Sequence, residues 1–599
     1  MYLFGGPGEA AAAEALLRGR RLLFGALFGA TMGALLWLGG VACSPLGSPL
    51  RQAIVLVPLA TVLPSIVVGF WNAIIGLVVM RWARDPVAAV NPTAVAVHGD
   101  EPITASTAIL LCIRNEAPDS LMAPLQTMMS GLIDARVADH FHLYVLSDTT
   151  DPLIASAEET GCRALAASFA GRMGLTYRRR DRNVGFKAGN IRDFCDRWGE
   201  RYDLAITLDA DSVMPASAIL RMVRIMQAAP RLGILQGLVI GLPTQSAFTR
   251  LFQFGMRLGM RSYTFGAAWW QGDCGPYWGH NAVLRLKPFG TYCRLPVLSG
   301  KGPLGGCVLS HDQLEAVLMR RGGYEVRVLP EETLGFEQNP PTLMEFIRRD
   351  LRWCQGNLQY LRLLALPGLR PISRTQLALA ISMFVGSPGW MALMIAITAF
   401  IMLARDPGEV LRADAAGWWL AVTLLMWHAP KIATMIDVLA RRDLRRAYGG
   451  TIRLLAGAAV EFGFSLLLMP ILWFEHTRFM MGLLSGRSVG WPPQTREVHA
   501  LPWRLAVRRL WPQTVLGIGV LGALGAHAPA AIPYASMVAG GLALAIPLAI
   551  ITALPTLGRG LARSGIARLP EETGFSEGLD GVGPDVLADS GPVRRLQPS

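Results

Sequence analysis

The chain has 599 residues, of which 52% are hydrophobic and only 17% charged, with a mean hydropathy of +0.37. A soluble globular chain carries about 25% charged residues, so this balance speaks against a soluble, fibrous or disordered protein. The net charge of +13 is arginine charge: of 56 basic residues only Lys187, Lys287, Lys301 and Lys431 are lysines. Many arginines flank apolar runs, which points to a membrane surface. No module interleaves them with base-stacking aromatics, so nucleic acid is not an expected partner. The eight cysteines form no CxxC pair and no cluster at metal spacing, and read as buried thiols.

Apolar runs long enough to cross a bilayer occupy residues 22–43 and 53–80 and, after a long polar stretch, 377–403, 417–439, 452–484, 511–527 and 532–554. Arg18, Arg20 and Arg21 precede the first run, and Arg81 and Arg84 follow the second. Arginine placement therefore puts the N-terminus and the polar stretch in the cytoplasm. Arg441, Arg442, Arg445 and Arg446 close the fourth run on the same side. The run 452–484 is too long for one ordinary span, and Arg487, Arg496, Arg504, Arg508 and Arg509 follow it. Two short crossings turning near Met469-Pro470 keep those arginines inside, giving eight spans with both termini cytoplasmic; the alternative is one tilted span that breaks the charge rule. Glu461 and His428 fall within predicted spans, where polar groups face a bundle interior or a wet cavity. Five segments result: 1–103 with spans one and two; 104–345, a cytoplasmic domain; 346–376, interfacial helices; 377–558 with spans three to eight and a cytoplasmic loop 485–510; and 559–599, a polar tail expected to be disordered.

Between residues 104 and 345 short apolar runs alternate with helical stretches, the grammar of a mostly parallel α/β sheet. Ligands in such sheets bind beyond the carboxyl ends of the strands. Arg114-Asn115-Glu116 follows the run 108–113, Ser147-Asp148 follows 142–146, and Asp209-Ala210-Asp211 follows 204–208. Carboxylates crowded at one edge require something positive among them. A hard divalent cation suits oxygen ligands, and magnesium with few carboxylates implies a diphosphate in the substrate. In Gly185-Phe186-Lys187-Ala188-Gly189-Asn190 the glycines admit close backbone approach and Lys187 offers a point charge for phosphate. The spacing is not that of a Walker A loop. Asp312, in Ser310-His311-Asp312, is either a helix cap or a general base. Arg352 beside Trp353 suits a sugar phosphate, with guanidinium for the phosphate and indole for the ring; an interfacial helix would carry the same pair. Trp278-Gly279-His280-Asn281 is a candidate acceptor entrance or an ordinary loop.

Glu116, Asp148, Lys187 to Asn190, Asp209-Ala210-Asp211, His311-Asp312 and Arg349-Asp350-Leu351-Arg352-Trp353 together resemble the D, DxD, [TE]ED, QxxRW series of processive, membrane-embedded family 2 glycosyltransferases. His311 stands where that family often has an acid, and Arg349 replaces its Gln. The RxxRW variant and the span pattern resemble the glucosyltransferase H family, which makes the glucose backbone of osmoregulated periplasmic glucans. The resemblance implies a GT-A-like, Rossmann-related domain that draws on UDP-glucose and Mg2+ or Mn2+ in a bacterial inner membrane. Its partners would be the growing glucan, membrane lipid and a periplasmic glucan-processing protein. Carried over by residue, Glu116, Asp148, Lys187, Asn190, Asp209 and Arg352 would bind the donor, and Asp211 with Asp209 the metal. Asp312 would be the base, and Trp353, His280, Asn281 and Arg349 would meet the acceptor. Trp390, Trp427 and Trp473 lie in predicted spans as path-lining or anchoring candidates. The loop holding Trp491-Pro492-Pro493 resembles a gating loop that closes over UDP. Deleting residues 489–494 is expected to abolish turnover while the folded protein still accumulates, measured as UDP release against yield of monodisperse protein.

Overall fold

The computed structural model describes residues 6–95, 97–300, 302–488 and 498–573. Along them run β1 (Thr107–Ile113), β2 (Phe141–Ser147), β3 (Gly174–Arg179), β4 (Leu204–Asp209), β5 (Leu232–Gly237), β6 (Val239–Gly241), β7 (Ala282–Arg285), β8 (Glu325–Leu329) and β9 (Gly335–Glu337). Seven form a sheet in the order β3-β2-β1-β4-β7-β5-β8, and β6 pairs with β9. The first four sheet neighbours are parallel, as the alternating sequence predicts; β7 enters antiparallel between β4 and β5.

Strand β1 shows why the sheet is continuous in sequence hydrophobicity. Ile109, Leu111 and Ile113 enter one core with Met129, Leu132, Ile219 and Val223. Ala108 and Leu110 enter the other with Ile191, Phe194, Leu314 and Val317. A parallel strand covered on both faces has no polar alternation. In register, Cys112 stands opposite both Leu146 and Asp209, so β1, β2 and β4 finish level. Their following residues share one edge, and the Asp148 N–H donates to the Ile113 carbonyl at 2.9 Å.

Among the described residues five helices are long and apolar enough to cross a membrane: Ala11–Ala42, Pro49–Trp82, Pro371–Leu403, Ala413–Ala440 and Thr451–Leu484. The bent pair Pro529–Ala543 and Ala545–Thr552 makes up to six. The eight-span count is not reproduced: Thr451–Leu484 is one uninterrupted helix with Pro470 inside it, and helix Trp503–His527, which covers the expected span 511–527, is not among the five. A proline within a helix removes one backbone hydrogen bond and kinks readily without making a turn. At about 1.5 Å per residue this helix is about 51 Å long, well beyond a hydrocarbon core of about 30 Å. Its Gly457 lies against Phe254 and Ala567, while Leu483, toward its other end, joins the core that holds Leu377 and Ile381. Within the helices, Glu461 pairs with Lys431 and the His428 ring meets the Leu424 carbonyl.

The helix Ala247–Gln271 joins the α/β domain to this bundle. A Cβ at Gly76 would collide with the Ser262 carbonyl, and one at Gly266 with the Asn72 carbonyl, so helix Pro49–Trp82 meets it backbone to backbone. The Trp270 indole donates to Asn72 Oδ1 at 2.9 Å. Arg20 and Arg21, which set the predicted topology, donate to the Trp269, Trp270 and Gln271 carbonyls at that helix's C-terminus.

The chain past residue 558 departs from the expected disorder as far as Thr573. Helix Pro555–Ser564 is followed by a turn, Pro570–Thr573, whose Glu572 pairs with Arg250 and Glu571 with Arg257, both at 2.8 Å. Two buried arginines supply what the polar composition lacked. Residues 489–497, with Trp491-Pro492-Pro493, and residues 574–599 lie outside the described residues. Arg250 is 2% exposed, and breaking a buried pair costs roughly 3 kcal/mol. Glu572→Gln is therefore expected to lower the unfolding temperature in detergent by several degrees, read by scanning fluorimetry.

Candidate functional site

Just past β1, Asn115 takes a left-handed conformation, φ 53°, which asparagine tolerates better than most residues. Its side-chain oxygen accepts from the Thr150 and Asp151 amides at 2.9 and 3.1 Å, tying the β1 and β2 loops together. Asp148 receives both ends of the Arg180 guanidinium, at 2.8 and 2.6 Å. Arg180 also donates to the Val184 and Phe186 carbonyls, both at 3.0 Å, fixing the turn before Lys187. Asn190 is engaged within the protein: it donates to the Leu146 carbonyl at 2.9 Å and accepts from Arg178 at 2.5 Å.

At the end of β4, Lys187 is hydrogen-bonded to Asp209 and to the Gly279 carbonyl. Burial pushes the Asp209 carboxyl up, but Lys187 and then His280 and His311 outweigh it and hold it at about 2. Burial likewise favours neutral Lys187, and Asp209 holds its ammonium above the ordinary value. His280 Nδ1 meets Ser212 Oγ at 3.1 Å, and its Nε2 lies 3.6 Å from Glu337. Burial pushes Glu337 up against the pull of His280 and Arg349.

Asp312 opens helix Asp312–Arg321, and the residue before it caps the helix without a side-chain bond. The capping alternative is thus set aside, and Asp312 stands in the first turn of the helix. His311 Nδ1 pairs with Glu315 one turn on, at 2.8 Å. Burial favours the neutral ring, yet Glu315 raises its pKa. On helix Leu343–Leu358, burial and then the Arg349 and Arg348 charges push Arg352 down to about 10. Trp353 is 48% exposed, with the Arg349 guanidinium 4.8 Å from its ring centroid.

All the sequence-derived site residues except one line a single cleft of about 260 Å3. The exception is Asn281, which is fully buried and donates to the Phe336 carbonyl at 3.3 Å, so the expected acceptor contact does not hold. Its φ of 49° turns it into the core while His280 faces the cleft. Arg180, Ser212, Glu315 and Glu337 are the residues sequence reasoning missed. Arg180 had a signal, its place directly after β3. Glu337 had none, since β9 is three residues long.

Among the described residues no group of three or more His, Cys, Asp or Glu could by itself hold a metal ion. Asp209 and Asp211 offer two carboxylates at one strand end. That donor set fits magnesium, which takes one or two carboxylates and completes its shell with diphosphate oxygens.

A GT-A-like sheet with a DxD at the end of its central strand defines a glycosyltransferase, and residues 204–436 match the family described as Glycosyl transferase family group 2. The chain belongs to the glucans biosynthesis glucosyltransferase H family. It is 33% identical over 590 residues to that protein of Caulobacter vibrioides, covering 95% of this chain and 87% of the relative. It is 34% identical over 599 residues to that of Xanthomonas oryzae pv. oryzae, covering 97% and 90%. Among solved structures, a mannosyltransferase from Pyrobaculum calidifontis in complex with GDP-Man and Mn2+ is similar at a TM-score of 0.41 and 16% identity, covering 65% of this chain and 98% of that one.

With Lys187 present, Asp209 stays ionised in strongly acid solution. In Lys187→Met the largest charge opposing burial is gone and the carboxyl titrates higher, so the acid limb of the pH–rate profile is expected to move to higher pH.

Proposed function

We propose that this protein is a processive, inverting glucosyltransferase that builds the β-glucan backbone of osmoregulated periplasmic glucans from UDP-glucose. The observation that supports this most is one cleft in which Asp148, Asp209, Asp211, Asp312, Arg352 and Trp353 meet from separate stretches of chain. Glu116 and Asp148 stand at the end that would take the uracil, and Trp353 at the end that would take the acceptor sugar.

The acceptor hydroxyl attacks the anomeric carbon while Asp312 takes its proton. The new C–O bond forms on one face as the bond to UDP breaks on the other, so an α-linked donor yields a β-glucoside. Arg352 and Lys187 compensate the charge that grows on the leaving diphosphate. A Mg2+ or Mn2+ held by Asp211 and Asp209 would supply Lewis-acid neutralisation of the same oxygens. Asn190, bonded to Leu146 and Arg178, keeps the Lys187 turn in place.

The domain and both termini would lie in the cytoplasm and the helices in the inner membrane. A polyhydroxylated chain in bare lipid leaves polar groups unpaired, which favours a path through the bundle toward a periplasmic glucan-processing protein. Asp350, within the RxxRW motif, meets His476 Nε2 at 2.6 Å, and His476 Nδ1 meets Ser387 Oγ at 2.9 Å. The acceptor end therefore abuts the apolar helices. One turn further along them Trp390 stacks on Trp473 at 4.6 Å, with Trp427 5.6 Å from Trp473.

Purified protein in lipid with magnesium and UDP-glucose is expected to release UDP and form a β-glucan, with linkage read by methylation analysis. Asp312→Asn should lower synthesis by about a thousandfold while UDP still binds, and EDTA should stop synthesis. Undiminished synthesis by Asp312→Asn, or a product without glucose, would overturn the reading.

A further inference from the structure

Glu337 lines the cleft but has no part in the transfer step above. It ends β9, whose register sets it opposite Gly241 of β6. On one side its carboxylate lies 3.6 Å from His280 Nε2, and His280 is oriented by Ser212 through its other nitrogen. On the other side is Arg349, which donates to Asn339, two residues beyond Glu337, at 3.1 Å and stacks on Trp353. One short segment thus sets Glu337 in the cleft that Trp353 also lines, and a buried Asn339 against the Arg349 that stacks on the indole.

Arg349 is the position at which this chain carries a guanidinium where the broader resemblance has an amide. That added charge adjoins Arg352, and an acid on the acceptor side offsets it. A carboxylate so placed has lone pairs left for a ligand, and its hydrogen bonds to hydroxyl groups are stronger than neutral ones.

We propose that Glu337 determines acceptor specificity: framed by His280 and Arg349, its carboxylate accepts a hydrogen bond from a hydroxyl of the acceptor glucose resting on Trp353, and so decides which hydroxyl reaches Asp312. The proposal rests on the glucosyltransferase reading above. A site that hydrogen-bonds a sugar hydroxyl discriminates sharply against a misplaced one, because its own polar group is then left unpaired.

The test uses the full chain in phosphatidylethanolamine–phosphatidylglycerol vesicles with magnesium, radiolabelled UDP-glucose and a linear β-glucan oligosaccharide as acceptor. In Glu337→Gln the KM for the acceptor is expected to rise roughly tenfold, the KM for UDP-glucose to move less than twofold, and the linkage pattern to become mixed. In Glu337→Gln with Arg349→Gln the raised acceptor KM should persist. Full recovery in that double variant would make Glu337 only a counter-ion and overturn the proposal, as would an unchanged acceptor KM and linkage. If Glu337→Gln fails to accumulate, Glu337→Asp keeps the charge but withdraws it by one methylene; a raised acceptor KM supports the proposal and an unchanged one overturns it. Absence of any glucosyl transfer by the unaltered protein would defeat the glucosyltransferase reading, and this proposal with it.

Discussion

Like charges gathered at one edge of a sheet repel, and the cleft is built around the ways that repulsion is met. Asp148 is locked by a two-pronged Arg180 that also grips the neighbouring loop. Asp209 instead takes Lys187, one of four lysines in an arginine-rich chain. The difference is physical. Arginine's planar fork fixes a geometry, whereas lysine is a point charge on a flexible stem and can shift toward a diphosphate without dismantling a bidentate pair. His280 and His311 add partial charge that depends on protonation, each oriented by a protein group at one nitrogen.

The same logic continues beneath the cleft. Arg257 and Arg261, on helix Ala247–Gln271, reach Glu332 at 3.3 and 2.8 Å in the loop between β8 and β9. Arg261 also reaches Asp437 at 3.3 Å, at the end of helix Ala413–Ala440, where Arg441 and Arg81 converge. Glu571 closes the network from the C-terminal turn. Removing one partner of such a buried pair would leave an uncompensated charge. They link the loop that leads into β9 to the apolar helices.

The strand ends were legible because a doubly covered parallel strand is a plain apolar run: β1, β2 and β4 match the runs at 108–113, 142–146 and 204–208. Strand β3, Gly-Leu-Thr-Tyr-Arg-Arg, is a half-exposed edge and carries no such run. Arg180 was missed with it. For 452–484 the arginine rule favoured two short crossings over one tilted span, whereas Thr451–Leu484 is one continuous helix. The order of residues 559–573 could not be read locally, because the arginines that hold Glu571 and Glu572 lie more than three hundred positions earlier. Asn281 was legible as a special residue but not as a buried one; its backbone conformation, not its amide chemistry, accounts for its place.

The contact at Gly76 and Gly266 has a further implication. Two helices whose peptide planes touch have no layer of side chains to repack, so the joint behaves as a weld rather than a bearing. An added methyl group at either position would have to displace main-chain atoms and tilt the whole catalytic platform over its helices. The spacing of that joint is therefore held by two residues that contribute no atoms beyond the backbone, beside the Trp270–Asn72 bond and the Arg20 and Arg21 contacts.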